Sequence, residues 1–72
     1  MNRAVVVVAP EGAGKTKNAS RIATALGCRR IVDDWNGQQP LQPGDLALTN
    51  MARDQISGDY RVLGLDEALQ AA

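Results

Sequence analysis

VVVVAPEGAGKT, residues 5–16, passes from four consecutive valines through Pro10 into a glycine-rich turn that ends on lysine and threonine. The apolar run from Ala4 to Ala9 has the length of a strand. Its lack of polar alternation marks a strand covered on both faces, as in parallel sheets. Pro10 has no N–H with which to continue a ladder. Beyond the turn, Ala19, Ile22, Ala23 and Leu26 recur at helical spacing over Lys15 to Leu26, leaving Lys17, Arg21 and Thr24 to face water. Gly27 supplies the helix stop. Strand, glycine turn and helix form the first half of a βαβ unit, and the small alanines on the inner face let the helix lie close to a sheet.

RRIVDDW, residues 29–35, reads as a second strand, and NGQQPLQPG, residues 36–44, as a polar loop punctuated by Asn36-Gly37 and two prolines. DLALT, residues 45–49, is a third strand. Asn50 is expected to cap a short helix running through Ser57 and closed by Gly58. YRVLGL, residues 60–65, is a fourth strand, and Asp66 is placed to cap a last helical turn or two. The expected fold class is α/β: one minimal domain over residues 1–72 with a small, mostly parallel sheet of about four strands.

The chain has 72 residues, and a domain near this size buries only about 60% of the surface its unfolded chain exposes. A bound ligand or a second copy of the chain therefore matters for its stability. Hydrophobic residues at 44% and charged residues at 22% are ordinary globular proportions, which excludes a disordered tail. Trp35 and Tyr60 are the only aromatic residues, so the core is expected to be aliphatic. No apolar run approaches the ~20 residues of a membrane span, and the start is too short in apolar residues for a signal peptide; the expectation is a cytoplasmic protein. Cys28, the single cysteine, reads as a small packing residue after the first helix.

Net charge is zero, yet the halves differ: residues 1–32 carry +5 and residues 33–72 carry −5. Such asymmetry fits either an anion-binding end or two halves that attract each other in the fold.

APEGAGKT, residues 9–16, fits the phosphate-loop pattern G-x-x-x-x-G-K-[ST] with Ala9 in place of the first glycine. Gly12 and Gly14 allow the unusual dihedrals that turn successive N–H groups toward an anion, where a Cβ would crowd the phosphate. Ala9, Pro10, Glu11, Gly12, Ala13, Gly14, Lys15, Thr16 and Lys17 make up the expected nucleotide-binding stretch. Lys15 offers a point charge to the β and γ phosphates and Thr16 a hydroxyl to Mg²⁺, while the helix that follows directs its N-terminal dipole at the same anion.

On these residues the chain resembles the P-loop NTPase superfamily, and within it the nucleoside-monophosphate-kinase and shikimate-kinase-like branch. The likeness covers residues 4–34. It implies a sheet in the order 2-3-1-4, ATP or another nucleoside triphosphate with Mg²⁺ as cofactor, and Asp33 and Asp34 as the acidic residues that help hold Mg²⁺ or the phosphate acceptor. Lys15, Asp33 and Asp34 are then the catalytic candidates, and Thr16, Asp33 and Asp34 the metal candidates. The family shows D-x-D where this chain has D-D, and the pair reads equally as a solvated acidic turn. The resemblance also sets DLALTN in the Walker B position, where Thr49 and Asn50 replace a carboxylate; Asn50 reads otherwise as a helix cap. In length and plan the chain is similar to small P-loop proteins of bacteriophage genomes.

Family kinases take a transition-state arginine, worth roughly 10³ to 10⁵-fold, from a lid for which this sequence has no segment. Arg53 and Arg61 follow the second strand, each either reaching the γ phosphate or ending in a surface ion pair. Trp35 either stacks on a base or covers a hydrophobic edge. The expectation is a protein that binds a nucleoside triphosphate or phosphate anion with weak or no hydrolysis. The alternatives are a non-enzymatic interaction module on the same scaffold, pairing with a second copy or another protein through an open sheet edge, and, with less in its favour, nucleic-acid binding through the basic half.

Overall fold

The computed structural model describes residues 3–9, 15–56, 58 and 60–71, with the backbone alone at 15, 16 and 71. Four strands, β1 (Val5–Val8), β2 (Arg30–Val32), β3 (Asp45–Thr49) and β4 (Arg61–Gly64), form one sheet in the order β2-β3-β1-β4. Each adjacent pair is parallel. The α/β class and the strand order agree with the sequence expectation. Two helices, α1 (Lys15–Leu26) and α2 (Leu65–Ala71), and one 3-10 turn, Arg53–Gln55, complete the described elements.

Alternation along the central strands divides the core in two. Val5 and Val7 of β1 and Leu46 and Leu48 of β3 meet Ala19, Ile22, Ala23 and Leu26 of α1 and Ala68 of α2 on one face. Val5, Val6 and Val7 are wholly buried, as a strand covered on both sides requires. The helix face matches its sequence pattern: Lys17, Arg21 and Thr24 are exposed. Gly27, at φ 73°, ends α1 in a Schellman arrangement, in which its N–H bonds the Thr24 carbonyl at 3.3 Å and the Cys28 N–H bonds Ala23 at 2.8 Å. A β-carbon is disfavoured in that left-handed conformation, which is why glycine stands there. Cys28 packs against the same core, as expected of a small apolar residue, and burial, with a smaller push from the Asp45 charge, raises its thiol above the ordinary range.

None of the described helices covers the second face. Ala4 and Val6 of β1 and Ala47 of β3 are sealed by Trp35 and Leu41 from the loop between β2 and β3, with Tyr60 and Val62 packed against them. Trp35 is 3% exposed, and its indole N–H donates to the Gln39 carbonyl at 2.9 Å. Its ring meets that of Tyr60 edge to face, and the Tyr60 hydroxyl accepts from the Leu41 N–H at 3.4 Å. The aliphatic core predicted from composition therefore describes the helical face alone, because both aromatic residues gather on the other.

Several boundaries are corrected. β2 stops at Val32, so Asp33, Asp34 and Trp35 lie in a turn past the strand, with Asp34 left-handed at φ 57°. A carboxylate side chain is among the few that tolerate that region. In place of a helix over residues 50–57 there is a single 3-10 turn, whose cap position is Ala52 and not Asn50. The Gln55 side-chain oxygen accepts from the Ala52 N–H at 3.1 Å, closing the turn without a longer helix. β4 begins at Arg61 and ends at Gly64, and α2 follows without a linker, so Asp66 falls inside its first turn. The carboxylate that caps this end belongs to Glu67, which accepts from the Gly64 N–H at 3.1 Å.

Candidate functional site

In a parallel sheet every strand points the same way, so the turns that leave the carboxyl ends collect along one edge, where ligands of α/β proteins bind. β1 is an inner strand, flanked by β3 and β4. Val8 lies opposite Thr49 on one side and Gly64 on the other. The Ala9 N–H donates to the Thr49 carbonyl at 3.1 Å, holding the chain to the sheet for one residue beyond the strand. Pro10, Glu11, Gly12, Ala13 and Gly14, the heart of the predicted phosphate loop, lie outside the described residues, and the chain is described again at Lys15, the first residue of α1. Lys15 and Thr16 therefore occupy the first helical turn, whose N–H groups lack intrahelical acceptors.

The charge of that turn is unusual. It holds no acid, and Lys15 and Lys17 both stand in it. Helices ordinarily place carboxylates at this end, because the backbone dipole leaves about half a positive charge there. Two lysines add to that charge instead of offsetting it.

Asp33 and Asp34 are exposed in the turn just past β2. The β2–β3 ladder closes at Val32 opposite Ala47, and the chain rejoins β3 when the Trp35 N–H donates to the Leu48 carbonyl at 2.8 Å. The acidic pair thus stands at the carboxyl edge, two strands from β1, roughly 10 Å away at the usual strand spacing. The structure brings the pair to the same end of the sheet as the carboxyl end of β1, and no group of three metal-binding side chains exists among the described residues.

Thr49 is buried at 1% exposure, and its hydroxyl oxygen accepts from the Met51 N–H at 3.1 Å. It sits on the inner strand beside β1, while Asn50 is exposed at the strand end. Trp35, buried in the second face, covers a hydrophobic surface and does not stand open to stack on a base.

One participant was weakly signalled in the sequence. Arg53, from the 3-10 turn, forms an ion pair with Glu67 of α2. Together they flank Gly64, where an added methyl group would meet the Arg53 guanidinium and the Glu67 carboxylate, each at 3.4 Å. Gly64 lies opposite Val8, so this pair stands next to the carboxyl end of β1. The Gly64 N–H foremost, and the Arg53 hydrogen bond after it, hold the Glu67 carboxyl below its usual range. The surface ion-pair reading of Arg53 is the one observed, and its position at this edge came from the fold.

An open depression of about 460 Å³ lies between Arg3, Gly27–Arg29 and Gly44. These residues belong to the opposite edge of the sheet, away from the expected phosphate site. No helix among the described residues is long and apolar enough to cross a membrane.

The chain matches no protein-family model, no curated protein and no solved structure. The resemblance to P-loop NTPases thus rests on the motif residues of the sequence.

Proposed function

We propose that this chain binds a nucleoside triphosphate, or the phosphate group of a related anion, at the first turn of α1, with weak or no hydrolysis. The observation that carries the reading is the inverted charge of that turn: two lysines and no acid at the positive end of a twelve-residue helix, whose first residue closes the sequence GAGK that follows an inner parallel strand. An anion seated there removes an electrostatic cost that the empty helix bears.

The residues fit such a ligand in part. N–H groups of the first turn, Lys15 and the Gly12–Gly14 backbone would hold phosphate oxygens. Thr16 and the Asp33–Asp34 pair would supply the oxygens that Mg²⁺ takes from a protein, since this ion usually keeps several waters and takes only one or two carboxylates beside the phosphates. The ion would supply charge neutralisation between phosphate groups.

Weak turnover is supported by two features of the same edge. The inner strand beside β1 ends in Thr49, whose hydroxyl accepts the Met51 N–H, and not in a carboxylate. The arginine at this edge, Arg53, is engaged by Glu67. Titration of ATP with Mg²⁺ into isotopically labelled protein tests the reading: amide signals of Gly12, Gly14, Lys15 and Thr16 shift together and saturate. If those four signals stay in place while others move, the site is elsewhere.

A further inference from the structure

Asn36 and Gly37 form the bend that follows Trp35. The Asn36 side-chain oxygen accepts the Gln38 N–H at 3.0 Å, an Asx turn that folds the carboxamide back over the peptide that follows it. Gly37 stands at φ 85°, and a β-carbon there would meet the tip of Met51 at 2.8 Å. Backbone and neighbour alike therefore call for glycine at this position. The same two residues set a carboxamide carbon beside a peptide nitrogen that no side chain of its own shields.

That nitrogen is unengaged. The Gly37 N–H donates to no acceptor among the described residues, and Asn36 is exposed. Asn18 and Asn50, the other asparagines among the described residues, are followed by nitrogens that are held. The Met51 N–H after Asn50 donates to the Thr49 hydroxyl at 3.1 Å, and the Ala19 N–H after Asn18 lies inside α1, where it bonds one turn back.

We propose that Asn36 is a site of self-modification, at which the Gly37 nitrogen attacks the Asn36 side-chain carbonyl carbon and the folded protein converts this asparagine to aspartate and isoaspartate. Hydroxide takes the Gly37 amide proton, and the nitrogen forms a bond to Cγ. The Gln38 N–H already on the side-chain oxygen stabilises the negative charge that gathers there. The bond from Cγ to Nδ2 then breaks, Nδ2 takes up a proton and leaves as ammonia, and a cyclic succinimide remains. One water opens that ring, at Cγ to give aspartate or at the main-chain carbonyl to give isoaspartate. Asparagine and water are consumed, an aspartyl residue and ammonia are formed, and nothing is oxidised or reduced.

The two products act differently on the fold. Aspartate leaves a carboxylate that still accepts the Gln38 N–H, so the turn survives. Isoaspartate routes the main chain through the side-chain carbon and lengthens it by one methylene between Trp35 and Gln39. Trp35 is tied on both sides of that link, by its backbone N–H to the Leu48 carbonyl at 2.8 Å and by its indole N–H to the Gln39 carbonyl at 2.9 Å. The longer link carries Gln39 away from the indole and loosens the cover over Ala4, Val6 and Ala47.

Intact-mass spectrometry of the full chain, aged without nucleotide at pH 6 and pH 8, tests the site independently of phosphate binding. The folded protein gains one mass unit, faster in proportion to hydroxide, and fragmentation places the gain at Asn36 while Asn18 and Asn50 keep their amides. Enzymatic methylation of the isoaspartyl carboxyl detects the second product. The sample rich in it melts below fresh protein, and the emission of Trp35, the one tryptophan of the chain, moves to longer wavelength. Asn36→Gln, which would have to close a larger ring, keeps its mass over the same interval, and Asn36→Asp melts with the fresh wild type. Circular dichroism checks that both variants fold; should Asn36→Gln not fold, the mapping in the wild type decides. A folded wild type that keeps its mass at pH 8, a gain that maps away from Asn36, or an isoaspartate-rich sample that melts with fresh protein overturns the proposal.

Discussion

Arg30 and Asp45 face each other across the β2–β3 ladder, with Nε and Nη2 of the guanidinium donating to the two carboxylate oxygens. Asp45 is buried at 4% exposure and also accepts the Gln42 N–H at 2.9 Å, while the Arg30 side chain is 63% exposed. The pair joins the basic half of the chain to the acidic half, which is the attraction that the charge asymmetry allowed. It also locks the short β2 strand in register.

Burial by itself pushes the Asp45 carboxyl up, but the Gln42 N–H and the Arg30 fork together outweigh it and leave the group below its ordinary value of 3.8. The folded protein therefore binds this proton less readily than the unfolded chain does. Stability from Asp45 is present above the ordinary carboxylate range and is lost as pH falls through 3.8 and below. Asp45→Asn is expected to cost about 1.5–3 kcal/mol at neutral pH, the range for hydrogen bonds to a charged group. Urea melts of both proteins at pH 7 and pH 3 check this: the difference between them shrinks at the lower pH, and an unchanged difference would contradict it.

Trp35 and Tyr60, with ring centroids 5.7 Å apart at 84°, close the core of the second face. Trp35→Ala is expected to cost about 3–5 kcal/mol, enough to unfold a domain of this size. Trp35→Phe keeps most of the ring but leaves the Gln39 carbonyl without its indole donor, and loses about 1–2 kcal/mol. Thermal unfolding followed by circular dichroism separates the two. If Trp35→Ala melts with the wild type, the aromatic cover is not part of the core.

Asp34 provides a way to test the acidic pair without disturbing the backbone. Because its φ is 57°, Asp34→Gly relieves a conformation that costs an ordinary residue roughly 1 kcal/mol, so the variant is at least as stable as the parent. The same change removes one of the two carboxylates proposed as Mg²⁺ ligands. The expected result is an unchanged or higher melting temperature together with weaker Mg²⁺ dependence of ATP binding, read by calorimetry with and without the ion. Equal Mg²⁺ dependence in the two proteins would remove Asp34 from the site.

The elements whose limits were legible in the sequence are those fixed by local pattern. Lys15–Leu26 and Asp45–Thr49 carry complete helical and apolar-strand signatures, and Gly27 states its own helix stop. The strand order came from the motif resemblance, since no local pattern specifies which parallel strand lies beside which. What escaped prediction depends on contacts between distant residues. Tyr60 selects Trp35 across the second face, Glu67 displaces Asp66 as the cap because Arg53 and the Gly64 N–H converge on it, and Gln55 closes a 3-10 turn where propensity suggested a longer helix. At the candidate site, the motif named Lys15 and Thr16 and the family resemblance the acidic pair, but only the register of β1 with β4 brings Arg53 to the same edge.

The sharpest measurement sets stability against binding at the first turn of α1. If that turn carries excess positive charge awaiting an anion, then Lys15→Ala and Lys17→Glu each stabilise the empty protein, by about 0.3–1 kcal/mol or roughly 2–6 °C in Tm. Ligand bound only to the folded state adds about 2.7 kcal/mol at a hundred times its Kd, so ATP with Mg²⁺ raises the wild-type Tm well beyond that difference. The account predicts that the order reverses: both variants melt above the wild type without ligand, and Lys15→Ala melts below it with ATP and Mg²⁺. A wild type whose melting is indifferent to millimolar ATP, or a Lys15→Ala variant that gains as much from ATP as the parent, would contradict it.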